Sequence, residues 1–164
     1  MMDKQPVTID PEILGFIDKV GLFYESAGIP RVSGRIVGLL LVLEEPVSSE
    51  EMSKILGVSR SSLSTNLSVL RHFKFIEEVR YPGDRKEFYK YSENAIENIL
   101  KIKLSQYDPF RSILLEGREH LKFKNLKDQK ITDLLTYLEL EEEKFTLLMQ
   151  NWKNFLKSSR KKEL

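Results

Sequence analysis

Apolar residues recur at helical spacing near the start of the chain, from Ile13 to Phe23. Asp10 and Pro11 come directly before them, a pair typical of an N-cap followed by the first helical position. The segment "ESAGIP" ends the pattern. The sequence therefore predicts a first helix from roughly Asp10 to Ser26.

A second run, "VSGRIVGLLLVLEEP", is apolar almost all round from Ile36 to Leu43 and ends before Pro46. An all-apolar surface predicts a helix that is buried on most sides. Gly34 and Gly38 lie one turn apart in this helix, and we expect them to let another backbone approach closely.

Two short helical segments follow. Ser48 begins the first, with Glu51 three residues later completing a capping box. Gly57 suits the left-handed position after a helix, and Ser59 then caps the second segment, which extends from about Arg60 to Phe73. Two helices joined by so short a turn predict a helix-turn-helix.

The second of these helices has an unusual polar face. Leu63, Leu67 and Leu70 lie on one side and are expected to face the core. The other side has short hydroxyl side chains and almost no acids, which would let the helix approach base edges in a DNA major groove while flanking arginines hold phosphates. The candidate recognition residues are Arg60, Ser61, Ser62, Ser64, Thr65, Ser68, Arg71 and His72. The alternative is an ordinary solvated helix face, although such faces usually carry Glu and Lys.

A predicted hairpin follows at once. "FIEEVRY" and "KEFYKY" have strand character, and "PGDR" between them is a turn. A basic hairpin after a helix-turn-helix is typical of a wing whose tip reaches the minor groove or the backbone. The candidate wing residues are Arg80, Gly83, Asp84, Arg85 and Lys86. The alternative is a solvated hairpin with paired charges, because Glu77, Glu78, Asp84 and Glu87 are also present.

The remainder of the chain is predicted to be helical. A stretch beginning at Ser92 is interrupted at Asp108-Pro109, "KFKNLKDQK" forms a polar break, and a long last helix carries a broad apolar stripe. Such a helix beyond a small domain usually packs against a second chain. We expect a homodimer built by the first helix and the last two helical segments, with an intrachain helical cap as the alternative.

These elements predict a mainly α fold with a small β-wing. The expected organisation is an N-terminal dimerisation arm (residues 1–28), a winged helix-turn-helix DNA-binding domain (29–92) and a C-terminal helical dimerisation region (93–164). In a dimer, two recognition helices would meet major grooves one helical turn apart, ~34 Å, on a pseudo-palindromic operator.

Composition excludes some kinds of chemistry. The 164 residues include no cysteine, so no disulfide or thiolate site is available, and no run is apolar enough to span a membrane. The N-terminus lacks the pattern of a signal peptide, and we expect a cytoplasmic protein. Net charge is +1, which favours no partner by itself. His72 and His120 stand far apart in the sequence, so we expect no metal site. No catalytic motif is visible, so we expect neither a cofactor nor an enzymatic activity.

Three stretches of the sequence carry a family resemblance: "GIPRVSGRIVGLLLV", "SSEEMSKILGVSRSSLSTNLSVLRHFKFIEEV" and "YPGDRKEFY". Together they resemble the MarR-type winged helix-turn-helix regulators, and most of all the GbsR branch. The resemblance implies a dimeric transcription factor with its recognition helix at Ser59–Phe73 and its wing tip at Gly83–Lys86. Many relatives place a wing arginine in the minor groove, oriented by an aspartate two positions earlier. Here Asp84 is directly followed by Arg85, and Lys86 stands where that arginine would fall.

Members near the GbsR type often repress genes for osmoprotectant uptake or synthesis and sense choline-like molecules, so the resemblance implies a small-molecule effector. A quaternary ammonium group would need an aromatic cage. Candidate pocket residues are Phe23, Tyr24, Tyr137 and Trp152, with Phe145 nearby on the last helix; the alternative for each is a core or interface role. The predicted function is a sequence-specific DNA-binding regulator, a dimeric repressor released by an effector. The alternative is a winged-helix protein-interaction module that does not bind DNA.

Overall fold

Seven α-helices and three short β-strands make up residues 9–160, the part of the chain that the computed structural model describes. In chain order they are α1 (Pro11–Ser26), α2 (Arg31–Val42), β1 (Val47–Ser48), α3 (Ser49–Leu56), α4 (Arg60–His72), β2 (Ile76–Val79), β3 (Phe88–Tyr91), α5 (Ala95–Ser105), α6 (Tyr107–Phe123) and α7 (Gln129–Arg160). The mainly helical fold with a small sheet is the predicted one. The chain divides into two units, with the boundary between Ile96 and Glu97.

The predicted helix starts of the first unit are confirmed by their caps. The Asp10 carboxylate accepts hydrogen bonds from the backbone N–H groups of Glu12 and Ile13 at the start of α1. At the start of α3, Ser48 Oγ accepts from the N–H of Glu51 while the Glu51 carboxylate accepts from the N–H of Ser48. Each cap satisfies N–H groups that have no partner within their own helix.

Helices α1 and α2 pack at very short range, as the two glycines predicted. A Cβ atom added to Gly34 would lie 2.7 Å from Tyr24 Cβ and 2.9 Å from Gly21 Cα. One added to Gly38 would lie 3.2 Å from Ile17 Cα. The absence of side chains at these positions is therefore what lets the two helices touch through their backbones.

The core of the first unit lies between α2, the helix-turn-helix and the sheet. Exposure to solvent is at most 2% for four residues of this core: Ile36 and Leu39 of α2, Met52 of α3 and Leu63 of α4. Ile76 and Tyr89 close this core from the hairpin. Burial of this apolar surface stabilises the unit and fixes α4 against it by one face.

The hairpin belongs to a three-stranded antiparallel sheet with the order β1-β3-β2. In the wing, Ile76 pairs with Tyr91 and Val79 with Phe88. The third strand, β1, was not predicted; it pairs Val47 with Tyr89 on the other side of β3. This pairing attaches the hairpin to the start of α3.

In the second unit, α6 packs against α7. Tyr107, Leu135, Leu138 and Met149 are buried, and Arg111 on α6 forms an ion pair with Glu142 on α7. The predicted interruption of the helical stretch is confirmed, but it lies at Gln106 rather than at Asp108-Pro109: α5 ends at Ser105 and α6 begins at Tyr107. Pro109 falls in the first turn of α6, where a proline costs no helical hydrogen bond. The polar break before the last helix is confirmed, because α6 and α7 are joined by residues 124–128.

Candidate nucleic-acid interface

Helix α4 presents a mainly polar face to solvent because its leucines are buried. Ser59 caps the helix by accepting a hydrogen bond from the N–H of Ser62 at 3.2 Å. Leu63, Leu67 and Leu70 are at most 3% exposed, which confirms the predicted core face. The opposite side exposes Ser61, Ser64, Thr65, Ser68, Arg71 and His72, with Arg60 exposed in the first turn and Ser62 half-buried.

The hydroxyl groups on this face differ in their partners. Thr65 Oγ1 donates to the carbonyl oxygen of Ser61 at 3.1 Å, and Ser61 Oγ lies 3.1 Å from Ser59 Oγ. Within residues 9–160, Ser64 and Ser68 make no side-chain hydrogen bond. Their hydroxyls are therefore open to an external donor or acceptor.

A groove of about 570 Å³ lies between α4 and the hairpin. It is lined from α4 by Arg60, Leu63, Ser64, Leu67, Ser68 and Arg71, from the hairpin by Arg85, Lys86, Glu87 and Tyr89, and from the start of α3 by Ser48, Ser49 and Glu50. The structure thus brings together residues of the predicted recognition helix and of the predicted wing on one surface.

The charges in this groove are not all free. In the described part of the chain, neither Arg60 nor Arg85 has an acidic partner within ion-pair distance. Lys86 Nζ lies 3.7 Å from Glu50 Oε2, and Glu50 also accepts a hydrogen bond from Lys54 at 2.9 Å. Lys54 lowers the pKa of Glu50, so this carboxylate stays charged at neutral pH. The sequence interpretation named Glu87 only as an acid that could pair with the hairpin's basic residues, and it did not place Glu50 at this site.

Two of the predicted DNA-contacting arginines share one carboxylate. Arg71 Nη1 donates to Glu78 Oε2 at 2.5 Å, and Arg80 Nε donates to Glu78 Oε1 at 2.7 Å. The Glu78 side chain is 14% exposed, against 51% and 79% for the two arginines. The hydrogen bond from Arg80, together with that from Arg71, lowers the pKa of Glu78. Glu78 lies on β2. From the sequence it was considered only as one of several acids that could pair with the basic residues of the hairpin.

The wing tip is ordered by its backbone. Gly83 adopts a left-handed conformation, with φ of 81°. Asp84 Oδ1 accepts a hydrogen bond from the N–H of Lys86 at 2.9 Å. Asp84 therefore fixes the turn, and among the described residues no hydrogen bond or ion pair joins its carboxylate to the Arg85 guanidinium. The arginine orientation that the family resemblance implies is not seen here.

Asn66 attaches the recognition helix to α2, and no sequence pattern identified it. It is one of the few buried polar residues, with Nδ2 donating to the carbonyl oxygen of Ser62 at 2.8 Å. Its Oδ1 accepts from Ser33 Oγ at 2.7 Å. A polar residue on the apolar side of a helix was the only signal available in the sequence.

The candidate effector residues lie in both units. Phe23 is exposed on α1, and burial raises the pKa of Tyr24 beside it. On α7, Tyr137 donates to Glu141 at 3.0 Å, and the Trp152 ring stacks on Phe155 with centroids 5.4 Å apart. The role of these residues in binding an effector stays a prediction.

The remaining predicted features concern metals and membranes. His72 packs edge-on against Phe73, and His120 Nδ1 lies 2.9 Å from the Glu116 carbonyl oxygen. Residues 9–160 contain no group of three or more metal-ligating side chains. None of the helices in the same range is sufficiently long and apolar to cross a bilayer.

Known proteins are similar to this chain, although no protein-family profile matches it. The HTH-type transcriptional regulator MmpR5 of Mycobacterium tuberculosis is 38% identical over 87 residues, which cover 52% of this chain and 53% of MmpR5. The HTH-type transcriptional repressor OpcR of Bacillus subtilis is 22% identical over 143 residues, covering 85% of this chain and 74% of OpcR. A crystal structure of a transcriptional regulator superposes with a TM-score of 0.75 and 25% identity, covering 88% of this chain and 99% of that one. The chain spans about half the length of MmpR5.

Helix-turn-helix, basic hairpin and sheet order together define a winged helix-turn-helix protein. The winged helix-turn-helix fold is the one that the family resemblance implies, and the chain is similar to proteins named HTH-type transcriptional regulators or repressors. Membership of the MarR family, and of its GbsR branch, stays a prediction.

Proposed function

We propose that this protein is a DNA-binding transcriptional regulator in which α4 enters the major groove of a duplex and the wing contacts the backbone or the adjacent minor groove. The observation that carries the proposal is the groove between α4 and the hairpin. Ser64 and Ser68, whose hydroxyls have no hydrogen-bond partner within residues 9–160, lie there beside Arg60 and Arg85, which have no ion pair in the same range. The names of MmpR5 and OpcR support the same function.

In this proposal, the hydroxyl residues contact base edges and the basic residues contact phosphates. Ser61, Ser64, Thr65 and Ser68 are short enough to let the helix axis come close to base edges, where a hydroxyl can donate or accept. Arg60, Arg71 and the wing cations carry the charge that phosphates require. Exposure of α4 along one whole face is compatible with this docking.

We propose further that the protein acts as a homodimer through its second unit and α1. In α7, Leu140, Leu147, Leu148 and Phe155 are exposed and recur every seven or eight residues, which gives one apolar stripe along the helix. A stripe of this length on a water-exposed helix favours a partner surface. The substitution Leu147→Glu should convert a dimer to a monomer, as measured by light scattering. The control Thr146→Glu adds the same charge one position off the stripe and should leave the dimer intact.

The regulatory mode proposed here is repression in the cytoplasm, relieved by a small molecule. A ligand that favours one spacing of the two recognition helices would change affinity for a palindromic operator. Phe23, Tyr24, Tyr137 and Trp152 remain the candidate contacts for an effector. The name of OpcR, a transcriptional repressor, supports this mode.

The direct test is a fluorescence polarisation titration of the full chain against random-sequence duplex DNA at low salt, repeated as the salt concentration rises. The proposal expects saturable binding that weakens with salt, because bound phosphates release their counterions. Absence of binding at low salt would reject the proposal.

One observation favours a second candidate, a winged-helix module that binds protein. Glu50 and Glu87 line the same groove as the cations, and the net charge of the chain is only +1. A groove of mixed charge can also accept a peptide with both signs of charge. The titration against duplex DNA separates the two, because the module would not bind duplex at any salt concentration.

A further inference from the structure

We infer that Glu78 is a positioning residue for DNA recognition: its carboxylate holds Arg71 and Arg80 in fixed places, and so increases discrimination between sequences while lowering affinity for duplex in general. This inference rests on the proposed DNA-binding function and adds to it the residue that sets its selectivity. Glu78 belongs to neither the predicted recognition helix nor the predicted wing tip.

The geometry is that of a bridge with one oxygen for each arginine. Oε2 accepts from Arg71, in the last turn of α4, and Oε1 accepts from Arg80, directly after β2. The carboxylate is mostly buried, so it is the fixed member of the three, while both guanidinium groups reach solvent. The bridge therefore joins the end of the recognition helix to the base of the wing.

Each arginine keeps donors for an external acceptor. A guanidinium has five N–H groups, and each of these arginines uses one in its recorded contact with Glu78. Holding a long side chain in one place before binding removes an ordering cost at the moment of binding. Phosphate contacts made from fixed places set the register of a protein on its duplex, and register determines which bases the hydroxyls of α4 meet.

The same carboxylate opposes binding electrostatically. Glu78 brings one negative charge to two arginines, which leaves the three groups with a net charge of about +1 at neutral pH. Removing it would raise attraction for any phosphate backbone, regardless of sequence. Glu78 thus favours binding by fixing the positions of the two arginines and opposes binding by its negative charge. Substitutions of Glu78 can separate these two effects.

The experiment compares three variants with the wild type on two duplexes, a sequence selected by the wild-type protein and its scrambled version, over a series of salt concentrations. Glu78→Gln removes the charge and leaves a side chain of the same size. Glu78→Asp keeps the charge but is one methylene too short to reach both arginines as glutamate does. Glu93→Gln is the matched control, with the same change in net charge at a side chain that is 78% exposed and, within residues 9–160, forms an ion pair only with Lys90, at 3.9 Å. Thermal unfolding by circular dichroism measures how far each variant is folded.

For Glu78→Gln we expect tighter binding to the scrambled duplex, and a salt slope steeper by up to about 0.9 for each additional phosphate neutralised. We also expect the ratio of selected to scrambled affinity to fall by at least about threefold, because register is lost. Glu78→Asp should lower that ratio without changing the slope, and Glu93→Gln should change neither.

Three outcomes would overturn the inference, and they can be told apart. If the wild type binds DNA but both Glu78 variants keep the wild-type ratio, Glu78 has no positioning role and the proposed function stands. If the wild type binds neither duplex at low salt, the proposed function fails and the inference fails with it. If Glu78→Gln is unfolded, the ratio of selected to scrambled affinity measured for Glu78→Asp decides the question. A fall in this ratio that Glu93→Gln shows as well would also contradict a specific role of Glu78.

Discussion

Ser33 Oγ on α2 donates a hydrogen bond of 2.7 Å to Asn66 Oδ1 on α4, and both residues are buried. Asn66 Nδ2 in turn donates to the carbonyl oxygen of Ser62. Side-chain packing alone would let α4 rotate slightly about its axis, whereas a directional bond between two buried groups fixes one orientation. The buried leucines determine which side of α4 faces the core, and this hydrogen bond fixes the rotation of the helix more closely.

Ser33→Ala should destabilise the first unit by about 1–3 kcal/mol, because Asn66 Oδ1 would remain buried without its donor. Urea unfolding followed by circular dichroism measures this loss. Ser26→Ala is the matched control, since in the described part of the chain Ser26 Oγ makes only an exposed hydrogen bond to the Phe23 carbonyl oxygen. It should change the free energy of unfolding by less than about 0.5 kcal/mol. Equal losses in the two variants would show that the buried bond is not important for stability.

Gly57→Ala should destabilise the helix-turn-helix by about 1–2 kcal/mol, because Gly57 has φ of 61° in the turn between α3 and α4. A Cβ at Gly57 would meet nothing within 4 Å, so the cost is purely conformational. Gly15, inside α1, also has open space around it but no positive φ. Gly15→Ala should therefore stabilise the protein, by about 0.5–1 kcal/mol. Thermal unfolding of both variants checks the opposite signs, and a shared sign would contradict the conformational explanation.

Arg85→Ala should weaken binding to duplex DNA roughly tenfold and reduce the salt slope by about 0.9, the value for one phosphate contact. Arg85 lines the groove without an ion pair among the described residues, so its charge is available. The control is Lys127→Ala, which removes the same charge from the loop between α6 and α7. Polarisation titrations at several salt concentrations measure both quantities. An unchanged slope would remove Arg85 from the proposed interface.

Stability should fall as the pH rises from 10 to 12, because burial and the hydrogen bond to Glu87 raise the pKa of Tyr89 to about 12. An unfolded tyrosine ionises near pH 10. The neutral phenol is thus favoured in the folded state, and its contribution is complete below pH 10 and is lost as the pH passes through the folded value. Burial also raises the pKa of Tyr107 to about 12, so it should contribute in the same range.

Absorbance of the phenolate as a function of pH measures this effect. Tyr89→Phe should remove one late-titrating group and reduce the alkaline loss of stability. If every tyrosine of the wild type titrates near pH 10 while the protein is folded, the burial argument for Tyr89 is wrong.

The elements of the first unit could be predicted because their signals are local. Caps at Asp10, Ser48 and Ser59, and the glycine at position 57, are short-range patterns with a direct physical cause. Strand β1 could not be predicted in this way, because two residues form a strand only when β3 lies beside them. The helix start at Tyr107 was missed because Asp-Pro was interpreted as a break rather than as part of a first helical turn.

The features of the candidate site can likewise be separated into those with a local sequence signal and those without one. The hydroxyl face of α4 follows from helical periodicity, and the positive wing follows from composition around a turn. The bridge from Glu78 to Arg71 and Arg80, and the bond from Ser33 to Asn66, join residues from different elements. No local pattern indicates which of several carboxylates or serines will meet a given partner, so these contacts required the structure.

The central claim, that the exposed hydroxyl face of α4 reads DNA sequence, is tested most directly by selecting bound duplexes from a random pool. The wild type and the Ser61→Ala/Thr65→Ala variant would be compared in parallel. We predict that the wild type enriches a pseudo-palindromic sequence with half-sites about one helical turn apart, and that the variant retains binding but prefers different bases within each half-site. No enrichment by the wild type, or an identical preference in both proteins, would contradict the claim.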